Sequence, residues 1–434
     1  MKTSDEKAAV TAALMVAISI ISSIVGFLAT ILLARLLGPE DFPDYAIAVA
    51  TLMFLATFCE FGTGKYAMRI YPEFVAKKEW GLLRGYWLFS ILLVVTCSIL
   101  LGISALIWEN LNPGTLRNEA VTTAVWFLAP TALVAVVSEF VMANRRPVTG
   151  AIITRLVCPG FTLLSLLSLY FVVGKVSLQA AVVCFGMSGL VGFLAASWFL
   201  QRFTNPAAQS AKRVYQVADW LRHCLWYSFL ALLTTWLFKI SVLLLYALNI
   251  EEIEVARFVA AMETACFILL VAKSTNKFYQ PELATIISKE DWKHGFRMKR
   301  SRRLLIGTAS GAYFLLMIFF GKVILGWFGN EFVDGYPALL MISAGTCVAT
   351  TFAMAPEYLK FTNQLKTVLL VYFLGGLTLV VSTSLLAVPY GANGAAAAFG
   401  SVVVLTTLAF VGITENRLRK ERRHLDNSSE LASR

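Results

Sequence analysis

Charge is what this sequence most lacks. Asp, Glu, Lys and Arg make up 15% of its 434 residues and apolar residues 58%, whereas ordinary soluble domains carry about 25% charged residues. A soluble chain so poor in charge has too little polar surface to cover itself. A bilayer removes that problem, because lipid tails are the solvent for the outward face. Histidine is scarce too. His223, His294 and His424 sit in polar loops without metal-ligand spacing, so neither a metal site nor a cofactor is expected. The seven cysteines fall in or beside apolar segments and form no C-x-x-C, which marks them as small packing residues. H-E-x-x-H and G-x-S-x-G are both missing. Gly62-Thr-Gly-Lys65 matches the end of a phosphate loop, but that pattern needs Gly where Cys59 stands and Ser or Thr where Tyr66 stands. Alternation at period two is absent, which argues against a β-barrel.

What is present is a series of long apolar runs. They cover about 10–34, 44–63, 85–108, 120–143, 150–173, 177–200, 224–247, 253–273, 303–326, 335–356, 365–388 and 394–414. Each is about long enough to cross a hydrocarbon core at helical rise. The expected fold is therefore an all-α integral membrane protein of about twelve spans. The run after Lys7 is long enough to span, so it does not read as a cleaved leader. Gly174 and Lys175 divide the fifth and sixth spans, and Pro130, Pro159 and Pro356 predict kinks.

Basic residues orient these spans. With the N-terminus inside, thirty of the 37 Lys and Arg fall in inside segments. Four lie outside (Arg35, Arg117, Lys175 and Lys322), and three lie within spans (Arg155, Lys239 and Arg257). That asymmetry is a positive-inside signal and puts both termini in the cytoplasm. It also accounts for the net charge of +11 without nucleic acid as a partner. The inside loops 65–80 and 277–292 mix basic and aromatic residues, as segments lying along a membrane surface do.

These two loops also resemble each other. Pro72-Glu73-Phe74 with Trp80 parallels Pro281-Glu282-Leu283 with Trp292, and Leu37 with Glu40 parallels Leu248 with Glu251. The offsets are close to half the chain, which predicts a duplicated six-helix unit, a common transporter architecture. The expected organisation is a six-helix lobe over 1–200, a cytoplasmic linker over 201–223, a second six-helix lobe over 224–414 and a basic cytoplasmic tail over 415–434.

Ionisable groups inside a membrane are costly and usually face a cavity or a partner. The candidates are Glu60, Glu139, Arg155, Lys239, Arg257, Glu263 and Glu357. Glu60, Glu139, Arg155 and Glu357 lie near cytoplasmic helix ends, where snorkelling or end pairing is the simpler reading. Lys239 and Glu263 are deeper, about 12 and 15 Å from the outer helix ends. They sit on consecutive antiparallel helices, so a direct pair and a cavity-lining role are both open. Gly307 and Gly311 form a G-x-x-x-G expected to be a helix contact.

The stretch Leu32-Leu-Ala-Arg-Leu-Leu-Gly-Pro-Glu-Asp-Phe-Pro-Asp-Tyr-Ala46 resembles the end of the first helix in the polysaccharide transporters, the Wzx-like flippases of the multidrug/oligosaccharidyl-lipid/polysaccharide (MOP) exporter superfamily. Ile324 to Leu340 and Tyr390-Gly-Ala-Asn-Gly-Ala-Ala-Ala-Ala398 resemble later family segments. Pro43 stands where the family usually has Gly, and 251–257 and 357–366 depart further from its pattern. The resemblance implies two lobes around a central cavity that opens alternately to each side of the inner (cytoplasmic) membrane. It implies an oligosaccharide or polysaccharide precursor on a polyprenyl diphosphate as cargo. In such a protein Arg35, Lys239 and Arg257 are the candidates to hold the diphosphate. Glu263, Glu139 and Glu60 are the candidates for charge pairing or for coupling to Na+ or H+.

Two other functions compete. A MATE-like exporter of drugs or organic cations shares the fold, but such exporters usually need deep acidic residues, and this chain has few. A membrane glycan polymerase or ligase usually carries a large outside loop. Here the longest outside loops, near 109–119 and 327–334, leave little room for an active site, so no enzyme activity is expected.

Overall fold

The computed structural model describes residues 2–111, 119–144, 146–270, 292–362 and 364–432, together with 272, 276, 279, 283 and 286. Among the described residues there is no strand; helices follow one another along the chain. Among the described residues, seven helices are long and apolar enough to cross a membrane, or eight if the bent pair Glu119–Val125 and Leu128–Ala143 is one span. Their outer faces remain apolar. Leu100, Ile103, Phe171, Val172, Phe319 and Phe320 are all exposed, an arrangement that lipid rather than water satisfies. The chain is a multi-pass, all-α membrane protein.

The two longest helical runs are each broken once by a glycine. Lys2–Glu60 has 59 residues, which as a straight rod would reach about 89 Å against a hydrocarbon core of about 30 Å. Gly38 breaks it with φ 75° and ψ −178°. Pro39 follows and disfavours helical geometry at the residue before it, and glycine alone takes the positive φ without strain. Leu365–Ala432 is broken likewise at Gly391, φ 52° and ψ −132°, two residues after Pro389. Each break falls between two of the expected spans.

The division at Gly174 is as expected. Gly174 (φ 75°) caps the helix Cys158–Val173, and the Ser177 side chain accepts the Ala180 amide at the start of Leu178–Phe203. The three prolines each mark a local departure from the α pattern. Pro130 cannot donate to the Trp126 carbonyl, and a 47° bend sits at that point. Pro159 cannot donate to Arg155, and residues Ile153–Val157 form a π-helical turn closed by the Cys158 amide on the Ile153 carbonyl. Pro356 cannot donate to Phe352, where the helix Tyr336–Thr351 stops and Met354–Phe361 begins.

Contacts divide the chain into two compact units, Met1–Tyr246 and Ala247–Arg434. In the first, Leu128–Ala143 packs on Leu178–Phe203. Gly186, Gly189 and Gly192 bring the second helix against Phe127, Thr131 and Val134 so closely that a Cβ would collide at the first and last positions. In the second, Tyr336–Thr351 lies against the run after Gly391. A Cβ on Gly345 would come 2.8 Å from the Gly400 carbonyl oxygen. Thr346 donates to the Ala265 carbonyl at 3.0 Å and Tyr313 to the Thr264 carbonyl at 2.5 Å, tying neighbouring helices together.

The predicted G-x-x-x-G contact is met at Gly307 and not at Gly311. Gly307 is in ordinary contact with Thr351, while nothing lies within 4 Å of a Cβ at Gly311. The close contacts belong to other glycines. Of the two predicted surface segments, residues 277–292 lie largely outside the described residues. The first is the helix Thr63–Lys77, which buries Tyr66, Ala67, Ile70, Tyr71 and Phe74 at helical spacing and exposes Lys65, Arg69 and Glu73.

Candidate functional site

The first unit gathers four ionisable groups from three parts of the chain. Glu60 ends its helix, and Phe61 (φ 47°) and Gly62 (φ 68°) turn the backbone through the left-handed region. Thr63 then opens the next helix, its hydroxyl donating to the Glu60 carbonyl at 2.8 Å. One residue later Gly64 presses on Glu139, leaving no space for a side chain. Lys65 Nζ donates to Glu139 Oε1, while Glu139 Oε2 is buried with no hydrogen-bond partner among the described residues. Lys65 feels the charges of Glu139, Glu60 and Arg155. Arg155 sits in the π turn of Ile153–Val157.

Two of the predicted carboxylates, Glu60 and Glu139, are therefore brought into one electrostatic cluster. Lys65 was not among the sequence candidates, because it falls in a basic loop beyond the span. The signal that could have found it is Gly62-Thr-Gly-Lys65, whose glycines serve close packing and not a phosphate.

Gly62 meets a second element. The backbone of the helix Val217–Ala247 at Cys224, Tyr227 and Ser228 lies where a Gly62 side chain would stand. Tyr66 stacks on His223 with ring centroids 5.1 Å apart. The Tyr86 hydroxyl donates to the Thr63 carbonyl at 2.6 Å, and its ring lies edge-on to the buried Trp220.

In the second unit Arg257 holds a junction. Its guanidinium donates to Glu254 at 2.7 Å, to Asp334 at 2.5 Å and to the Glu331 carbonyl at 3.0 Å. The other oxygen of Glu254 accepts the Ala392 amide at 2.9 Å, immediately after the Gly391 break. Arg257 is thus engaged with Glu254, Glu331 and Asp334, three residues of the second unit that composition did not single out.

Glu263 is exposed on the helix Glu252–Ala265, and Arg35 is exposed on Lys2–Glu60. Lys239 belongs to the helix Val217–Ala247, but its side chain lies outside the described residues, and so does its predicted pairing with Glu263. Glu357 pairs with Lys360 at 3.0 Å, one turn on. Among the described residues no three His, Cys, Asp or Glu gather as metal donors.

The fold and these clustered charges define the class: a multi-pass, all-α membrane protein whose ionisable side chains are brought together from separate helices. The sequence profile of the polysaccharide biosynthesis protein family matches residues 10–277, and the chain belongs to that family. No curated protein matches it closely enough to identify a relative. Among solved structures it is similar to a multidrug resistance MATE family transporter of the MOP superfamily in an inward-facing conformation. That match has a TM-score of 0.75 and 12% identity, covering 95% of this chain and 99% of that one. It is also similar to the lipid II flippase MurJ in an inward closed conformation. There the TM-score is 0.69 and the identity 14%, covering 93% of this chain and 87% of that one. At these identities the likeness is one of fold.

Proposed function

We propose that this chain is an alternating-access transporter that carries a lipid-linked oligosaccharide, built on a polyprenyl diphosphate, across the inner (cytoplasmic) membrane during surface polysaccharide biosynthesis. The observation that carries this reading is the family match over residues 10–277, on a fold shared with a lipid II flippase. In this reading the chain crosses twelve times, with both termini cytoplasmic. The lobes 1–200 and 224–414 flank a central cavity, joined by 201–223, with the tail 415–434 inside. The cargo has two natures. Its sugar hydroxyls and diphosphate cannot enter hydrocarbon unpaired, whereas its prenyl tail stays in lipid.

Arg35, Lys239 and Arg257 are assigned to the diphosphate. Glu263, Glu139 and Glu60 are assigned to coupling with Na+ or H+ or to charge pairing. The exposure of Glu263 on the helix Glu252–Ala265 supports its part, since a carboxylate facing hydrocarbon is costly and one facing an aqueous cavity is not. The test is complementation of a deletion strain with Ala at Lys239 and Arg257. Loss of glycan export, with lipid-linked oligosaccharide accumulating on the inner leaflet, is expected. Normal export from the double variant would sink the diphosphate assignment.

A second reading, a MATE-like antiporter of organic cations, rests on the shared fold: MATE structures match with TM-scores from 0.64 to 0.75, on either side of the 0.69 to the flippase. Rescue of drug tolerance by this chain with no glycan defect in its deletion strain would favour that reading. Either way the chain acts as a transporter and not as an enzyme.

A further inference from the structure

We propose that the segment 211–228, which leads from the first unit toward the second, is a clamp, and that its docking holds the Lys65–Glu139 pair together. The segment lies on the start of the helix Trp80–Leu111. The Val214 amide donates to the Gly81 carbonyl at 3.0 Å, and the Arg84 guanidinium donates to the Ala211 carbonyl at 2.8 Å. Two bare residues admit it. A Cβ on Gly81 would come 2.6 Å from the Lys212 carbonyl oxygen, and one on Gly85 would collide with the Val214 carbonyl. A flexible tether samples many conformations and keeps no fixed backbone bonds. This segment is hydrogen-bonded through its backbone and fitted against two glycines, so it is built into the first unit.

The segment reaches the charge cluster through contacts in series. Trp220 is 1% exposed, with its ring centroid 5.2 Å from that of Tyr86 and 5.4 Å from that of Phe89. The Tyr86 hydroxyl donates to the Thr63 carbonyl at 2.6 Å. The backbone of Cys224 and Ser228 closes over Gly62, so the turn before the helix Thr63–Lys77 is held by two elements. Lys65 lies in the first turn of that helix and donates to Glu139, while Gly64 presses on the same carboxylate. A shift of the turn therefore moves the ammonium and the bare position together, and packed side chains with hydrogen bonds carry such a shift. Tyr86 bonds to neither charged group in this chain of contacts, so it acts as a positioning residue. The use of the clamp in transport rests on the transport reading: movement of 211–228 would reach Glu139 by this route.

The test uses the full chain purified in detergent and reads acylation of the Lys65 amine by an N-hydroxysuccinimide ester, site by site, with mass spectrometry. A carboxylate partner favours the unreactive ammonium. Glu139→Gln is therefore expected to raise Lys65 labelling about threefold, as a pair with a half-exposed ammonium allows. Gly85→Ala lifts the segment and alters no charge. Tyr86→Phe deletes one hydroxyl and keeps the ring on Trp220. Both are expected to raise Lys65 labelling about twofold. Hydrogen exchange at the Val214 amide reads docking itself and should quicken in Gly85→Ala. Each variant is checked for monodispersity by size exclusion, and Tyr86→Phe decides alone should Gly85→Ala not fold. Lys77 is the internal standard, paired with Glu73 on the same helix at 2.7 Å, and should label as in wild type throughout. Wild-type labelling of Lys65 in either folded variant or in Glu139→Gln overturns the proposal. So does unchanged exchange at Val214 in folded Gly85→Ala, or an equal rise at Lys77, which would mark general loosening. Labelling needs no transport, so failure of the transport reading is scored separately by export.

Discussion

The Lys65 ammonium donates to the Glu139 carboxylate from one residue beyond Gly64, whose missing side chain makes room for that carboxylate. Neither partner is informative alone. Lys65 looks like a cytoplasmic loop cation and Glu139 like a helix-end carboxylate. Their pairing depends on Gly64 being bare.

Gly64→Ala should push the Glu139 carboxylate aside and break the pair. Thermal unfolding in detergent should show a loss of about 1–3 kcal/mol, as for other overpacked sites. Because the two changes share one contact, the double variant Gly64→Ala with Glu139→Ala should lose clearly less than the two single losses combined. Simple additivity would show that the glycine and the carboxylate are not in conflict.

Gly62→Ala is expected to be worse than an ordinary helix-end substitution. The residue sits at φ 68°, and its missing side chain is replaced by the backbone of Cys224 and Ser228. Positive φ and backbone collision act together, and neither is relieved by a rotamer change. The measurement is the yield of monodisperse protein and its midpoint of thermal unfolding. A wild-type midpoint would mean the helix Val217–Ala247 does not seat there.

Arg257 allows stability and transport to be separated. Its bonds to Glu254 and Asp334 form a network, so Arg257→Gln and Asp334→Asn should couple by about 0.5–3 kcal/mol in a double-mutant cycle of thermal stability. Glycan export is read in the same set. Lost export in Arg257→Gln, with export kept in Asp334→Asn at matched stability, supports contact with cargo. Parallel loss in both assigns Arg257 to the junction beneath Gly391.

The two glycine classes predict opposite signs. Gly345→Ala places a methyl 2.8 Å from the Gly400 carbonyl oxygen and should destabilise. Gly311→Ala meets nothing within 4 Å and lies in a helix interior, so it should stabilise by up to about 1 kcal/mol. Two changes of the same sign in a thermal-shift assay would contradict this helix packing.

Much of the fold was legible because the bilayer imposes a simple rule. Every spanning segment must be apolar and internally hydrogen-bonded, so spans, breaks and kinks are written in local composition. Gly174 and Pro159 both act where their local chemistry predicts. The site was legible only in part. Glu60 and Glu139 stood out because charge in an apolar run is conspicuous. Lys65, Glu254 and Asp334 did not, because a charge in a loop or at a helix end is ordinary until its partner is known.

The sequence by itself determined that this chain is a multi-pass helical membrane protein, and its motifs carried the family resemblance. Hydrophobic length, positive-inside bias and short local motifs are properties of consecutive residues. Only the tertiary structure decided that Gly64 faces Glu139, that Gly345 rather than Gly311 carries a helix crossing, and that Arg302 is buried beside Asn276. Those facts depend on which helix faces bring distant residues together, and an apolar stripe that suits lipid and protein equally well does not encode the choice.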